Sequence, residues 1–191
     1  MTDTEVRQQI LLAAIKLLGS KGYADLSMND IVAESGVSKG GVYWHFKNKD
    51  AIIEAVFDSF LDAQLQFIDG QLAGDDSATE KLRRIFGIAQ LAELTEIPPP
   101  LEFYAMAARD PALMARMRRY VDAYGERLVQ VLEQGIAAGE FAPVDPNMTA
   151  LNLMSFLEGV LLIGLIVHPE TLAAQVDQAL ELIFRGLLSK E

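Results

Sequence analysis

From Ser38 to Lys49 the chain reads Ser-Lys-Gly-Gly-Val-Tyr-Trp-His-Phe-Lys-Asn-Lys: three lysines, one histidine, one tyrosine, one tryptophan and no acid. Cations and aromatic rings at that density, with no carboxylate among them, suit a polyanion. Gly40 and Gly41 leave no side chain in the first turn of a helix that starts here. Each glycine costs a helix roughly 1 kcal/mol, and close approach of the backbone to a flat or bulky partner would justify the pair. Helix N-termini also attract phosphate through their free N–H groups and dipole. A helix start that is small and flanked by cations is what a DNA major groove accepts.

Catalysis finds less support. His45 and His168 are the two histidines, far apart in sequence and without metal-ligand spacing. The chain has no Cys, hence no disulfide, thiolate metal site or Cys nucleophile. Neither Gly-x-Ser-x-Gly nor a phosphate-binding glycine loop occurs. Asp75 and Asp76 are adjacent carboxylates, but in a polar loop they read as solvated. The expectation is no enzyme, no metal and no cofactor.

The elements that must position the basic run lie on either side of it. Ser27 can cap a short helix, with Asp30 three residues on. Ile31, Val32 and Ala33 give that helix its apolar side, and Gly36 can end it in the left-handed conformation. Val37 plugs the corner and Ser38 caps the second short helix, through Trp44. Two helices joined by a tight, glycine-bearing turn make a helix-turn-helix. Before it, Thr2 and Glu5 suit a capping box for a helix over about 4–19. Ile10, Ala13, Ala14, Leu17 and Leu18 form its apolar stripe. After it, Asn48 caps a connecting helix over about 48–71, faced by Ile52, Val56, Phe60, Ala63 and Phe67.

The run from Gly36 to Asp50, together with Ala14 to Val32, strongly resembles the DNA-binding domain of TetR/AcrR-type transcriptional regulators. The close match covers about residues 5–60. The resemblance implies that Ser27 and Tyr43 hold phosphates and that His45 and Lys49 contact the DNA backbone. It also implies that the turn Ser38, Lys39, Gly40, Gly41, Val42 faces the bases. Many members carry a larger residue where Gly41 stands, so this chain forgoes a side-chain contact there. Repression is likewise an implication of the family.

The rest of the chain has helical periodicity and no alternation suited to strands. Helices are predicted over about 79–95, 101–108, 110–138, 145–167 and 170–188, with Asp-Pro openings at 110 and 145. The fold class is therefore all-α, about nine helices. Residues 1–50 form the helix-turn-helix domain and 51–191 a ligand-binding and dimerisation domain. Net charge is −11. Residues 1–50 hold six basic and six acidic side chains, so the acidity lies in the second part. Attraction to DNA then rests on Lys39, Lys47 and Lys49, with a modest salt dependence.

From Leu153 to Val167 the chain is apolar almost throughout, broken by Ser155 and Glu158. That is too short and too charged for a membrane span, so burial against a second copy is expected. Leu172, Val176, Ala179, Ile183 and Leu187 form the stripe expected at a two-fold homodimer interface of four helices, with Gly159 and Gly164 allowing close approach. Phe86, Gln90, Glu102, Phe103, Met117, Tyr120, Tyr124, Asn152, Phe156 and Glu158 are the candidate lining of a cavity for a small lipophilic effector. Glu158 needs a cation, a donor or a proton in apolar surroundings. It favours a cationic or hydrogen-bonding lipophile, whereas Arg109 would select an acid; both stay open.

The expected protein is a cytoplasmic, ligand-responsive repressor. As a homodimer it binds a palindromic operator in double-stranded DNA and is released by its effector. Its N-terminus lacks the basic and apolar regions of a secretion signal, and no membrane partner is expected. The rival is a helical small-molecule-binding or interaction module with a non-functional DNA-binding head.

Overall fold

The computed structural model describes residues 2–87, 100–167 and 171–188; within its helices, side chains at 100–102, 161–162 and 164–167 lie outside that description. Nine helices occur among the described residues, with one isolated bridge, Phe141 to Leu188. They are α1 (Asp3–Asp25), α2 (Met28–Ser35), α3 (Lys39–His45), α4 (Lys49–Leu72), α5 (Ala78–Phe86), α6 (Pro100–Ala107), α7 (Pro111–Ala137), α8 (Pro146–Val167) and α9 (Leu172–Leu187). The fold is all-α, and no helix among the described residues is long and apolar enough to cross a membrane.

Capping chemistry sets most of the boundaries. Thr2 and Glu5 close a capping box on α1, and Ser27 and Asp30 close one on α2. Gly36, at φ 66°, ends α2 in the left-handed region that L side chains avoid. Asn48 accepts from the Ala51 N–H at 2.8 Å, Asp110 from Ala112 at 2.8 Å and Asp145 from Met148 at 3.0 Å. Gly22, at φ 73°, breaks α1 before its last residues. The helix predicted to reach Thr95 stops at Phe86, where Gly87 turns extended at φ −76° and ψ 167°. Residues 88–95 lie outside the described part.

The chain forms two compact units. One holds Met1–Ala63 and Thr95–Met117, the other Gln64–Leu94 and Arg118–Glu191. This division differs from the boundary expected at residue 50. In the first unit α6 and the start of α7 pack on the first half of α4. Phe103 meets Phe57 edge-on at 5.1 Å and stacks on Phe60 at 4.9 Å. Arg116 of α7 pairs with Glu54 and Asp58 of α4. The buried face of α4 is consequently wider than the predicted stripe: Ile53, Phe57 and Leu61 join it, while Ala63 is exposed. Ile10, Ala14, Leu18, Ile31, Val42 and Phe46 complete this core.

The second unit has its own core. Leu82, Ile85 and Phe86 of α5, Leu128 and Leu132 of α7, and Leu153 and Met154 of α8 pack with α9. Gly135 lets the Phe141 ring close on α7, since a Cβ there would stand 2.2 Å from the ring. Arg127 clamps Asp69 at 2.6 and 2.8 Å.

Candidate nucleic-acid interface

The reading surface is built on α3, and the burial of Val42 within it and of Phe46 at its C-cap fixes which way it faces. Val42 is fully buried and Phe46, four residues on, is 5% exposed. Trp44 lies about 200° round the helix from Val42 and must therefore point outward; it is 82% exposed. Tyr43 is 43% exposed beside it. Lys39 extends over the Tyr43 ring at 6.0 Å. The outward face thus carries Lys39, Gly40, Tyr43 and Trp44, with Lys47 exposed just beyond.

Trp44 is absent from the residues expected to contact DNA. Its signal in the sequence is the Val42/Phe46 pair, whose four-residue spacing marks the opposite side as buried. Val42, expected to face the bases, is a core residue of this unit. It sets the helix orientation and does not itself reach outward.

The glycine pair has two explanations. A Cβ at Gly41 would meet Val37 Cγ1 at 2.8 Å and Ser38 Oγ at 3.2 Å. Gly41 is therefore required inside the turn, where Ser38 Oγ accepts from the Gly41 N–H at 3.2 Å. At Gly40 a Cβ would meet nothing within 4 Å. Only Gly40 leaves room for a partner, which corrects the expectation that close approach accounts for both.

The flanking residues are tied into the fold. Ser27 caps α2 in an exposed position, with its hydroxyl shared with Asp30. Lys21 and the Ser27 donors hold the Asp30 carboxyl down at about 2. His45 has an imidazole only 8% exposed, its Nε2 3.5 Å from the Asp3 carboxylate of α1. The acid-free run thus acquires an acidic neighbour that sequence spacing hides. Lys49 donates to the Tyr23 carbonyl at 3.0 Å and lies 4.2 Å above the Tyr23 ring. Neither side chain stands freely on the outward face.

The residues expected around an effector are divided between the two units. Phe103 and Met117 belong to the core of the first unit and Phe86 to that of the second. Asn152 and Phe156 are exposed along a shallow groove of about 280 Å³ between α8 and α9, floored by Leu153 and Leu187. Gln90 and the side chain of Glu102 lie outside the described residues. Tyr120, Tyr124 and Glu158 do come together in the second unit. The two tyrosine rings are 6.0 Å apart. The Tyr124 hydroxyl is buried with no hydrogen-bond partner among the described residues. Burial pushes it well above its usual range, helped by Tyr120 and Glu158. An orphaned buried hydroxyl is a costly feature, and a ligand with a polar group can satisfy it.

The stripe expected at the dimer interface is spent inside the chain. Leu172, Val176, Ala179 and Leu187 are buried, and Ile183 packs against the same core. Among the described residues, the large apolar side chains that α8 and α9 turn outward are Met148, Leu151, Phe156, Ile163 and Leu182. Gly164 falls where side-chain surroundings are not described, while a Cβ at Gly159 would meet open space.

Comparison with known proteins matches residues 10–56 to the family described as bacterial regulatory proteins, tetR family. Residues 100–188 match the C-terminal domain of BetI-type transcriptional repressors. The HTH-type transcriptional regulator YfiR of Bacillus subtilis (strain 168) is 31% identical over 147 residues, covering 74% of this chain and 70% of that protein. A TetR transcriptional regulator from Chloroflexus aurantiacus superposes with a TM-score of 0.81 at 24% identity, covering 98% of each chain. The SmeT–triclosan complex superposes with a TM-score of 0.78 at 22% identity, covering 97% of this chain and 93% of that one. At those identities the two structures speak for the fold.

Proposed function

The chain belongs to the TetR/AcrR family of transcriptional regulators, and from that premise we propose that it is a ligand-responsive repressor acting as a homodimer on a palindromic operator. The observation that carries this reading is the outward face of α3. It presents Tyr43, Trp44 and Lys39, all exposed, around a bare Gly40. Aromatic rings and a lysine beside a bare helix turn suit duplex phosphates and groove edges. The BetI-type repressor match supports repression.

One seven-residue helix spans few base pairs, so two heads related by two-fold symmetry are needed to read a site. The exposed apolar side chains Phe156, Ile163 and Leu182 of α8 and α9 supply the surface for pairing. The effector is a small lipophile that takes a hydrogen bond from Tyr124, with Glu158 nearby. The SmeT–triclosan complex supports a small lipophile in the same fold. Release requires that the effector bind the DNA-free arrangement better than the DNA-bound one.

The test is fluorescence anisotropy with the duplex that flanks the protein's own gene. Wild-type protein should bind, and Tyr43→Ala and Lys39→Ala should each weaken binding about tenfold, a loss of ~1.4 kcal/mol. A folded dimer that binds no self-flanking palindrome favours the rival, a ligand-binding module with an idle head.

A further inference from the structure

We propose that a cavity in the first unit, between the end of α1, the start of α4 and the α6–α7 corner, is a second effector site that takes an organic cation with an apolar body, and that Lys49 reports its occupancy. The cavity is about 440 Å³, within the range of small-molecule sites. Gly22 breaks α1 and places Tyr23 against the first turn of α4, where its hydroxyl donates to Asp50 at 2.7 Å. The corner between α6 and α7 supplies the opposite wall. Ile53, Met106 and Leu113 form a buried apolar floor.

The charge at the rim selects the ligand. Asp50 uses one carboxylate oxygen on Tyr23, and Asp110 uses one to cap α7. Each keeps a second oxygen without a partner among the described residues. Both acids face Tyr23: the Asp50 hydrogen bond, then burial, then the charges of Asp50 and Asp110 raise its hydroxyl above the ordinary range. Glu54, also at the cavity, is already paired with Arg116. The opposing charge is Arg109, whose exposed guanidinium has no side-chain partner among the described residues. Two carboxylates with free acceptors outweigh one solvated guanidinium, so an ammonium group enters in preference to a carboxylate. Its apolar body covers the floor.

Tyr23 connects the cavity to the DNA-facing side. Its carbonyl and ring hold Lys49. An ammonium that takes Asp50 from the Tyr23 hydroxyl loosens that footing and frees Lys49 for a phosphate. This link rests on the DNA-binding role argued above; the ligand site itself does not.

Calorimetry on the full chain without DNA decides the site, with 4-phenylbutylammonium, neutral 4-phenylbutanol and anionic 4-phenylbutyrate as probes. The ammonium should bind at least tenfold more tightly than the alcohol. It should lose at least tenfold in Asp50→Asn/Asp110→Asn, and similarly in Ala105→Trp, which blocks the mouth from an exposed position of α6. Unchanged affinity in both variants, tighter binding of the carboxylate, or no binding of any probe overturns the site. Saturating ammonium should then tighten duplex binding at least threefold, and unchanged or weaker binding overturns the link to Lys49. A protein that binds no duplex at all refutes the repressor reading, while the calorimetry still judges the cavity.

Discussion

Gly135 lies under the Phe141 ring, and a methyl group there would overlap ring carbons at 2.2 Å and the Ala78 Cβ at 2.9 Å. Gly135→Ala should therefore lower stability by about 3 kcal/mol, the cost of overpacking a filled core, read by denaturant unfolding. Tyr124→Phe should do the reverse. It removes a buried hydroxyl that lacks a partner, and a gain of about 1 kcal/mol is expected, with the effector's grip weakened in the same variant. Trp44 is the one tryptophan of the chain and is 82% exposed on α3. Its emission should change in intensity or wavelength when the duplex binds. Unaltered emission at saturating DNA would mean that α3 is not the element that docks.

Among the elements, α5 depends on a residue distant in sequence. Glu140 receives the Ala78 N–H at 3.1 Å, the Thr79 N–H at 3.0 Å and the Thr79 hydroxyl at 2.8 Å. It caps a helix start already closed by Ser77 and Glu80. Burial pushes the Glu140 carboxyl up, but the Thr79 and Ala78 donors outweigh it and hold the group below its ordinary 4.5. A lowered folded value contributes stability that is complete above the unfolded value and is lost as pH falls through the folded one. Glu140→Gln should thus cost about 2 kcal/mol at neutral pH, and its melting-temperature deficit should shrink on acidification below about pH 4. A deficit independent of pH would assign the loss to shape and not to charge. Asp30 follows the same sign at the start of α2: held down to about 2 by Lys21 and Ser27, it supports the cap until strongly acid conditions.

For the whole molecule, assembly and charge are the open variables. Ile163 and Leu182 are each 61% exposed, an unfavourable place for large apolar side chains unless a second copy covers them. Ile163→Glu with Leu182→Glu should leave the monomer folded and shift the mass in light scattering from dimer to monomer. Duplex affinity should fall with it, since one head cannot span two half-sites. The net charge of −11 opposes DNA at long range. Lys39 and Lys47 are the lysines that α3 and its end hold outward. Four such cations in a dimer give a slope of about −4 in log affinity against log salt. A slope near −10 would require phosphate contacts from surfaces other than α3.

Local patterns in the sequence determined most of the helix starts, the fold class and the reading turn, while the ends of α1 and α5 departed from them. Thr2/Glu5, Ser27/Asp30, Gly36, Ser38, Asn48 and the two Asp-Pro openings act within a few residues of themselves, and their donors and acceptors are satisfied there. Facing is a different matter, because it depends on what packs across from a helix. The stripe from Leu172 to Leu187 has the period of an interface, yet the α5, α7 and α8 core absorbs it. Lys49 is a free cation by spacing, but Tyr23 holds it, and Asp3 reaches His45 from the start of α1. Gly41 is fixed by Val37, whereas Gly40, one residue earlier, is not. Periodicity says that a helix has a buried side, and only the neighbours that tertiary packing brings in decide which residues lie on it.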